Sequence, residues 1–149
     1  LKDGSVDLII CFSVLHHIPN VSHIIDECHR VLKPNGTIII REPVVAMGDW
    51  RFSRRGMTAR ERGVPLSPLL KKINSLNFKI KNLRIYDFPA TRKLAKFFRV
   101  SSYFNKPFFV ALDYFLSNII NWKVIYNPKN IFQKIQPSGI YIHLIKNND

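Results

Sequence analysis

The apolar run VDLIICF at residues 6–12 is continuous, not alternating, which predicts a central parallel strand buried on both faces. After SVLHHIPN, the stretch NVSHIIDECHRVLKPNG sets Val21, Ile24, Ile25, Cys28, Val31 and Leu32 on one helical stripe. Asn20 or Ser22 can cap that helix, with Asp26 and Glu27 early and Arg30 and Lys33 late, as the helix dipole prefers. Pro34 cannot continue it, and Asn35-Gly36 tolerates the positive backbone angles of a tight turn. TIIIREPV then reads as a second buried strand, so residues 6–43 predict one right-handed βαβ unit.

Downstream the pattern loosens. AMGDWRFSRRGMTARERG has no apolar period and predicts a loop, VPLSPLLKKINSLNF a helix with Leu69, Leu70, Ile73 and Leu76 inward, and KIKNLRIYDFP a strand with one wetter face. Residues 91–136 read as an inserted set of two or three short helices, and SGIYIHLIKN as a closing strand. Within the insertion, FFVALDYFLSNIIN carries Asp113, Ser117 and Asn121 at i, i+4 and i+8, a narrow polar stripe on a broad apolar helix. Fourteen residues rise only about 21 Å, too short to span a bilayer.

Composition adds three constraints. A chain of 149 residues with 46% hydrophobic content is long enough for a real core. Cys11 and Cys28 have no CxxC spacing and sit among apolar residues, as buried free thiols of a reducing compartment do. The net charge of +13 is uneven, because residues 1–40 hold Lys2, Arg30 and Lys33 against Asp3, Asp7, Asp26 and Glu27, leaving the excess in the remainder. A basic remainder suits an anionic partner, and a Lys-, Asn- and Ile-rich composition bias would produce the same count. The opening LKDGSVD, with no initiating Met, reads as the interior of a longer domain.

Taken together, Asp3-Gly4-Ser5-Val6-Asp7, Leu15-His16-His17 and Leu32-Lys33-Pro34-Asn35-Gly36 resemble the second half of class I S-adenosylmethionine-dependent methyltransferases of the Rossmann-like, small-molecule type. The resemblance covers the first 43 residues. It implies an α/β fold made of the fourth to seventh strands of that sheet, the last one antiparallel, with residues 91–136 as a helical, aromatic-rich lid. It further implies that residues 6–12 and 37–42 pair in parallel, with 139–146 antiparallel beside the latter. The family's glycine-rich loop and the acidic residue after its second strand have no counterpart, since Gly48, Gly56 and Gly63 are wrongly spaced for G-x-G-x-x-G. Residues 1–149 are therefore expected to be the carboxyl-terminal portion of one methyltransferase domain, inactive and unable to bind the cofactor alone.

The resemblance implies S-adenosylmethionine as cofactor, bordered by Cys11, Phe12, Ser13 and His16 at the end of the first strand. His16 and His17 follow where an acceptor hydroxyl would approach, and an imidazole has the right unperturbed pKa to take its proton. They are expected at the strand-to-helix turn on the cofactor side, one lining the pocket and the other bracing the turn. No metal site is expected, because relatives with a Glu-x-x-Glu-His ion site there have carboxylates where this chain has Ser13 and His16. Arg41, Trp50, Arg51 and Arg55 are candidates for binding an anionic acceptor, since guanidinium forks suit carboxylate and phosphate.

RRGMTARERGVPL resembles glycan- and lipopolysaccharide-pathway methyltransferases, which implies a small-molecule or glycan-type acceptor, anionic or lipid-linked, methylated at oxygen. Phe97, Phe98, Tyr103, Phe104, Phe108, Phe109, Tyr114, Phe115, Trp122, Tyr126 and Phe132 crowd the insertion between Lys and Arg. This pattern fits a lid, an acceptor pocket, a homodimer surface or peripheral membrane contact. Nucleic acid ranks last, because these rings are too apolar in context for a base-stacking platform. A cytoplasmic protein, peripheral at the inner face of the membrane, would satisfy all of this. The alternative from another class is a non-catalytic half whose basic aromatic face binds a partner or membrane.

Overall fold

The computed structural model describes residues 1–119 and 123–148. Asn121 and Trp122 of the insertion lie outside them. The chain runs β1 (Val6–Phe12), α1 (Val21–Val31), β2 (Leu32–Pro43), α2 (Leu66–Asn74), β3 (Phe78–Tyr86), α3 (Pro89–Phe97), α4 (Pro107–Asn118), α5 (Ile131–Lys134) and β4 (Gly139–Lys146). The four strands form one sheet in the order β1-β2-β4-β3. β1 pairs with β2 in parallel, and β4 is antiparallel to both β2 and β3, as the resemblance implied.

Alternation along the strands sorts side chains onto two faces. Cys11, Ile40, Ile142 and Leu83 share one cross-strand row, and Ile9, Ile38, Leu144 and Ile80 the next. On β1, β2 and β4 these rows pack under α1 and α2 through Ile25, Cys28, Leu69 and Ile73, which makes the main core, while Leu83 and Ile80 of β3 stay exposed at its margin. The opposite face carries the row Phe12, Arg41, Tyr141, Arg84 and the row Ile10, Ile39, His143, Asn82. Here the structure departs from the expectation that β1 is buried on both sides. Leu8, Ile10 and Phe12, alternate residues on the face away from α1 and α2, are 49%, 54% and 47% exposed, and among the described residues no strand pairs with the outer edge of β1.

The α1–β2 junction shows how KPNG works. Val6 pairs with Leu32 and Leu8 with Thr37, so residues 33–36 bulge out between two paired segments of β2. Asn35 takes φ 62°, and a Cβ on Gly36 would lie 2.8 Å from the Lys33 carbonyl oxygen, so the bulge needs both residues. α1 accordingly ends at Val31, and the Asn20 side chain caps its start by accepting from the His23 N–H.

The insertion is docked through polar groups. Asp113 of α4, buried, accepts from the backbone N–H groups of Asp87 and Phe88, both at 2.8 Å. Asp87 itself, at φ 67°, accepts from the Tyr103 hydroxyl at 2.6 Å and from Arg92 and Ser138. α4 therefore turns Phe109, Asp113 and Ser117 inward and leaves most of its apolar surface outward. No described helix is long and apolar enough to cross a membrane.

This network predicts an acid-dependent stability. Burial raises the Asp87 carboxyl, but its bonds from Ser138, Tyr103 and Arg92 prevail and hold it below the ordinary range. A depressed folded value adds stability above the unfolded pKa of about 3.9 and loses it as pH falls through the folded one. Asp87→Asn should therefore melt lower than wild type at pH 7, and the two melting temperatures should converge below about pH 4. A gap that stays constant from pH 7 to 3 would contradict the role assigned to this carboxylate.

Candidate active site

β1 ends at Phe12, and Ser13 then adopts φ 54° while donating its N–H to the Arg41 carbonyl at 2.8 Å. That reversal leads into a 3-10 turn at Leu15–His17. The turn leaves backbone N–H groups without helical partners, and Glu42 supplies the acceptor. Fully buried at the end of β2, its Oε1 accepts from the N–H of Val14 at 2.7 Å and of Leu15 at 2.8 Å. Its Oε2 lies 3.4 Å from the His16 N and 2.7 Å from His16 Nδ1. As a carboxylate Glu42 can only accept, which assigns the shared proton to His16 Nδ1.

The two histidines consequently differ. His16 is 6% exposed, turned under the strand-to-helix turn instead of out from it, with Nε2 4.0 Å from Glu61 Oε1. It lines a cavity of about 170 Å³ between the starts of α1 and α2, together with Pro19, Arg62 and Pro65. His17 stays exposed, its Nδ1 3.0 Å from the Thr58 hydroxyl and its ring 4.0 Å from that of His16. The backbone N–H of Thr58, more than the histidines, holds the Glu61 carboxyl below its usual range.

The loop at 46–63 is tied to this turn. Arg62 donates its backbone N–H to the His16 carbonyl at 3.0 Å and its guanidinium to the Pro19 carbonyl at 2.6 Å. Arg54 donates to the Met47 and Glu61 carbonyls at 2.7 and 2.5 Å. Trp50 lies under the Arg62 guanidinium, 5.5 Å from ring centre to carbon. Arg51 is bound to Asp49, which that contact pulls down to about 2, and Arg55 is exposed.

Arg41 belongs to a different group. Its guanidinium lies 5.7 Å from the Tyr86 ring centre and 5.9 Å from that of Phe104, and its Nε donates to the Tyr86 hydroxyl at 3.2 Å. Arg84, two strands away in the same row, sits 5.2 Å from the Tyr114 ring centre. With Tyr141 between them they line an open cavity of about 250 Å³. Neither guanidinium takes part in an ion pair among the described residues. Asp113, which also borders this cavity, is committed to backbone N–H groups. Arg41 is thus separated from the Trp50 and Arg51 loop with which sequence reasoning grouped it, and Arg84, Tyr86, Tyr141 and Glu42 were missed.

Of the four residues expected to border a cofactor, Phe12 and Ser13 are open. Cys11 is buried on the helix side, where a hydrogen bond with Cys28 holds its thiol below the ordinary range and that of Cys28 above it. His16 is buried beneath the turn. Phe12 and Val14, 47% and 45% exposed, flank the left-handed Ser13 and make an apolar shelf at the end of β1. That shelf fits one wall of a nucleoside-thioether site, while among the described residues no glycine-rich turn follows a strand to hold the remainder. Among the described residues no His, Cys, Asp and Glu cluster could hold a metal ion.

Residues 1–40 match the model of the methyltransferase domain family. Over 43 residues the chain is 37% identical to a protein of Mycolicibacterium smegmatis named "Probable S-adenosylmethionine-dependent methyltransferase", covering 29% of this chain and 17% of that one. Over 47 residues it is 38% identical to "Probable polyketide synthase 10" of Dictyostelium discoideum, covering 32% of this chain and 2% of that one. The chain thus spans only a small part of the length of these relatives. A solved SAM-dependent methyltransferase from Archaeoglobus fulgidus superposes with a TM-score of 0.56 at 16% identity, covering 98% of this chain and 62% of that one. S-adenosylmethionine is the cofactor that the domain family and its relatives indicate.

Glu42 offers the sharpest test of this site. Glu42→Ala would orphan the Val14 and Leu15 N–H groups and the His16 ring donor, costing about 3 kcal/mol. For a chain of this size that is a fall of roughly 10 °C in melting temperature. A fall under about 2 °C, measured by calorimetry, would show that the turn does not depend on this carboxylate.

Proposed function

We propose that the chain belongs to the class I S-adenosylmethionine-dependent methyltransferases, whose domain model its residues 1–40 match, and that it forms the acceptor-facing part of an enzyme transferring a methyl group to an oxygen of an anionic small-molecule or glycan-type acceptor. One observation carries this reading. Arg41 and Arg84, set against aromatic rings and in no ion pair among the described residues, line a cavity in the same cross-strand row as Phe12. Strands lie about 4.8 Å apart, so this row runs from the end of β1 into the cavity within about 14 Å. Guanidinium forks held by rings suit a carboxylate or phosphate, and the tyrosines suit the body of a sugar or aromatic acceptor.

When bound, the cofactor supplies an electrophilic sulfonium methyl. The chain's residues position and deprotonate the acceptor. Phe12, Ser13 and Val14 border the cofactor side and keep it apolar. His17, exposed and oriented by Thr58, takes the acceptor proton at Nε2, while His16, fixed by Glu42, holds the turn that presents it. Arg41 and Arg84 fix the acceptor's charge, and the Trp50, Arg51 and Arg55 loop forms the outer rim. The exposed edge and face of β1 support completion of the sheet by further strands that bring the glycine-rich loop. Two buried free thiols suit a cytoplasmic setting.

Residues 1–149 alone should show no micromolar binding of S-adenosylmethionine in calorimetry. Joined to a half carrying the glycine-rich loop, the enzyme should lose roughly a hundredfold in kcat on His17→Ala, with cofactor affinity kept. Arg84→Gln should instead raise KM for an anionic acceptor about tenfold at unchanged kcat. Unchanged kcat in the first variant and unchanged KM in the second would overturn the roles assigned to these two side chains.

A further inference from the structure

The polarity of α4 is inverted. Its buried positions are Phe109, Asp113 and Ser117, at i, i+4 and i+8, while Phe108, Phe115 and Ile119 are 68%, 58% and 59% exposed. At 100° per residue these last three fall within one quadrant, opposite the buried stripe. A helix that points its carboxylate at the protein and Phe108 and Phe115 outward has an apolar face with no partner among the described residues. The neighbouring α3 repeats the pattern, burying Thr91 and Ala95 and exposing Lys93, Lys96 and Phe97, the last at 79%.

Charge selects the occupant. Residues 89–136 contain eight Lys and Arg and a single acid, Asp113, which is buried and bound to backbone N–H groups. A second copy meeting this face by two-fold symmetry would set cations against cations. The strands proposed to complete the sheet would join at β1, whereas α4 packs on β3 at the other edge of the sheet. An acidic protein would satisfy the lysines but needs a groove for single projecting rings. Phenylalanines standing out between lysines match an anionic lipid surface, where rings enter the headgroup boundary and cations meet phosphates.

We propose that α3 and α4 form an interfacial membrane-binding face, lying on an anionic bilayer without crossing it. The test is co-sedimentation of the full chain, in 0.1 M salt, with vesicles of phosphatidylglycerol and phosphatidylcholine in equal parts, and with phosphatidylcholine alone. Binding to the anionic vesicles should be at least tenfold tighter. Phe108→Ser with Phe115→Ser should weaken it about tenfold or more, as should Lys93→Glu with Lys96→Glu, since each cation near such a surface is worth about fivefold. All four side chains are exposed, so these variants should keep the wild-type melting temperature. Ile10→Ser with Phe12→Ser, on the bare sheet face, should leave vesicle binding unchanged.

Four results would overturn the proposal. One is no preference for anionic vesicles, and another is full binding by both α3–α4 variants. The third is loss of binding through Ile10 and Phe12 alone. The fourth is a self-association, or a polyglutamate affinity, that competes with vesicles and is abolished by the same phenylalanine changes.

Discussion

A carboxylate with no solvent at all must find its partners in the protein, and Glu42 finds them in one place. It sits at the end of β2 and accepts from the turn that follows β1. Beyond the Ser13 N–H bond to the Arg41 carbonyl, the two parallel strands joined through α1 would otherwise run apart. Glu42 ties the end of one to the turn of the other, and so fixes where Ser13 reverses the backbone and where both imidazoles go. The loop at 46–63 then builds on that turn through Arg62 and Thr58. A buried ionic group is weak grounds for stability but a strong constraint on geometry, because every alternative conformation leaves it unpaired.

The same device recurs across the sheet. Asp113 takes two backbone N–H groups at the end of β3, as Glu42 takes two at the end of β1. Between these fixed points lies the row Phe12, Arg41, Tyr141, Arg84, which in the proposed reaction runs from the cofactor side at Phe12 to the acceptor side at Arg41, Tyr141 and Arg84. Anchoring both ends by carboxylate-to-backbone bonds leaves these arginines without an ion pair among the described residues. Their charge is balanced by ring faces, which an incoming anion does not have to displace.

Much of this framework was legible in the chain. The βαβ unit and the closing strand follow from apolar runs and turn residues whose physics is local, and the antiparallel pairing follows from the resemblance; KPNG, read as a tight turn between helix and strand, is instead a bulge inside β2. Glu42 was legible too, yet missed. Ile38 and Ile40 point into the core, so a period of two carries position 42 inward and Arg41 outward, and grouping Arg41 with Trp50 and Arg51 by nearness in sequence ignored that alternation. The polar stripe on α4 was visible, but its direction was not, because only the backbone N–H groups of Asp87 and Phe88 decide that it faces inward. The exposure of β1 was beyond reach for another reason: VDLIICF is patterned for a sheet with more neighbours than the described residues provide. His16 and His17 look equivalent in sequence, and only the third dimension gives one to Glu42 and the other to Thr58.

The dependence of the site on Glu42 can be read directly from one nucleus. The dependence of the turn on an accepting Glu42 carboxylate assigns the shared proton to His16 Nδ1. Long-range proton–nitrogen correlation spectra of the labelled protein near neutral pH should show His16 Nδ1 protonated, with a slowly exchanging ring proton shifted downfield. A neutral His16 bearing its proton on Nε2, with Nδ1 bare, would contradict the dependence of the turn on Glu42.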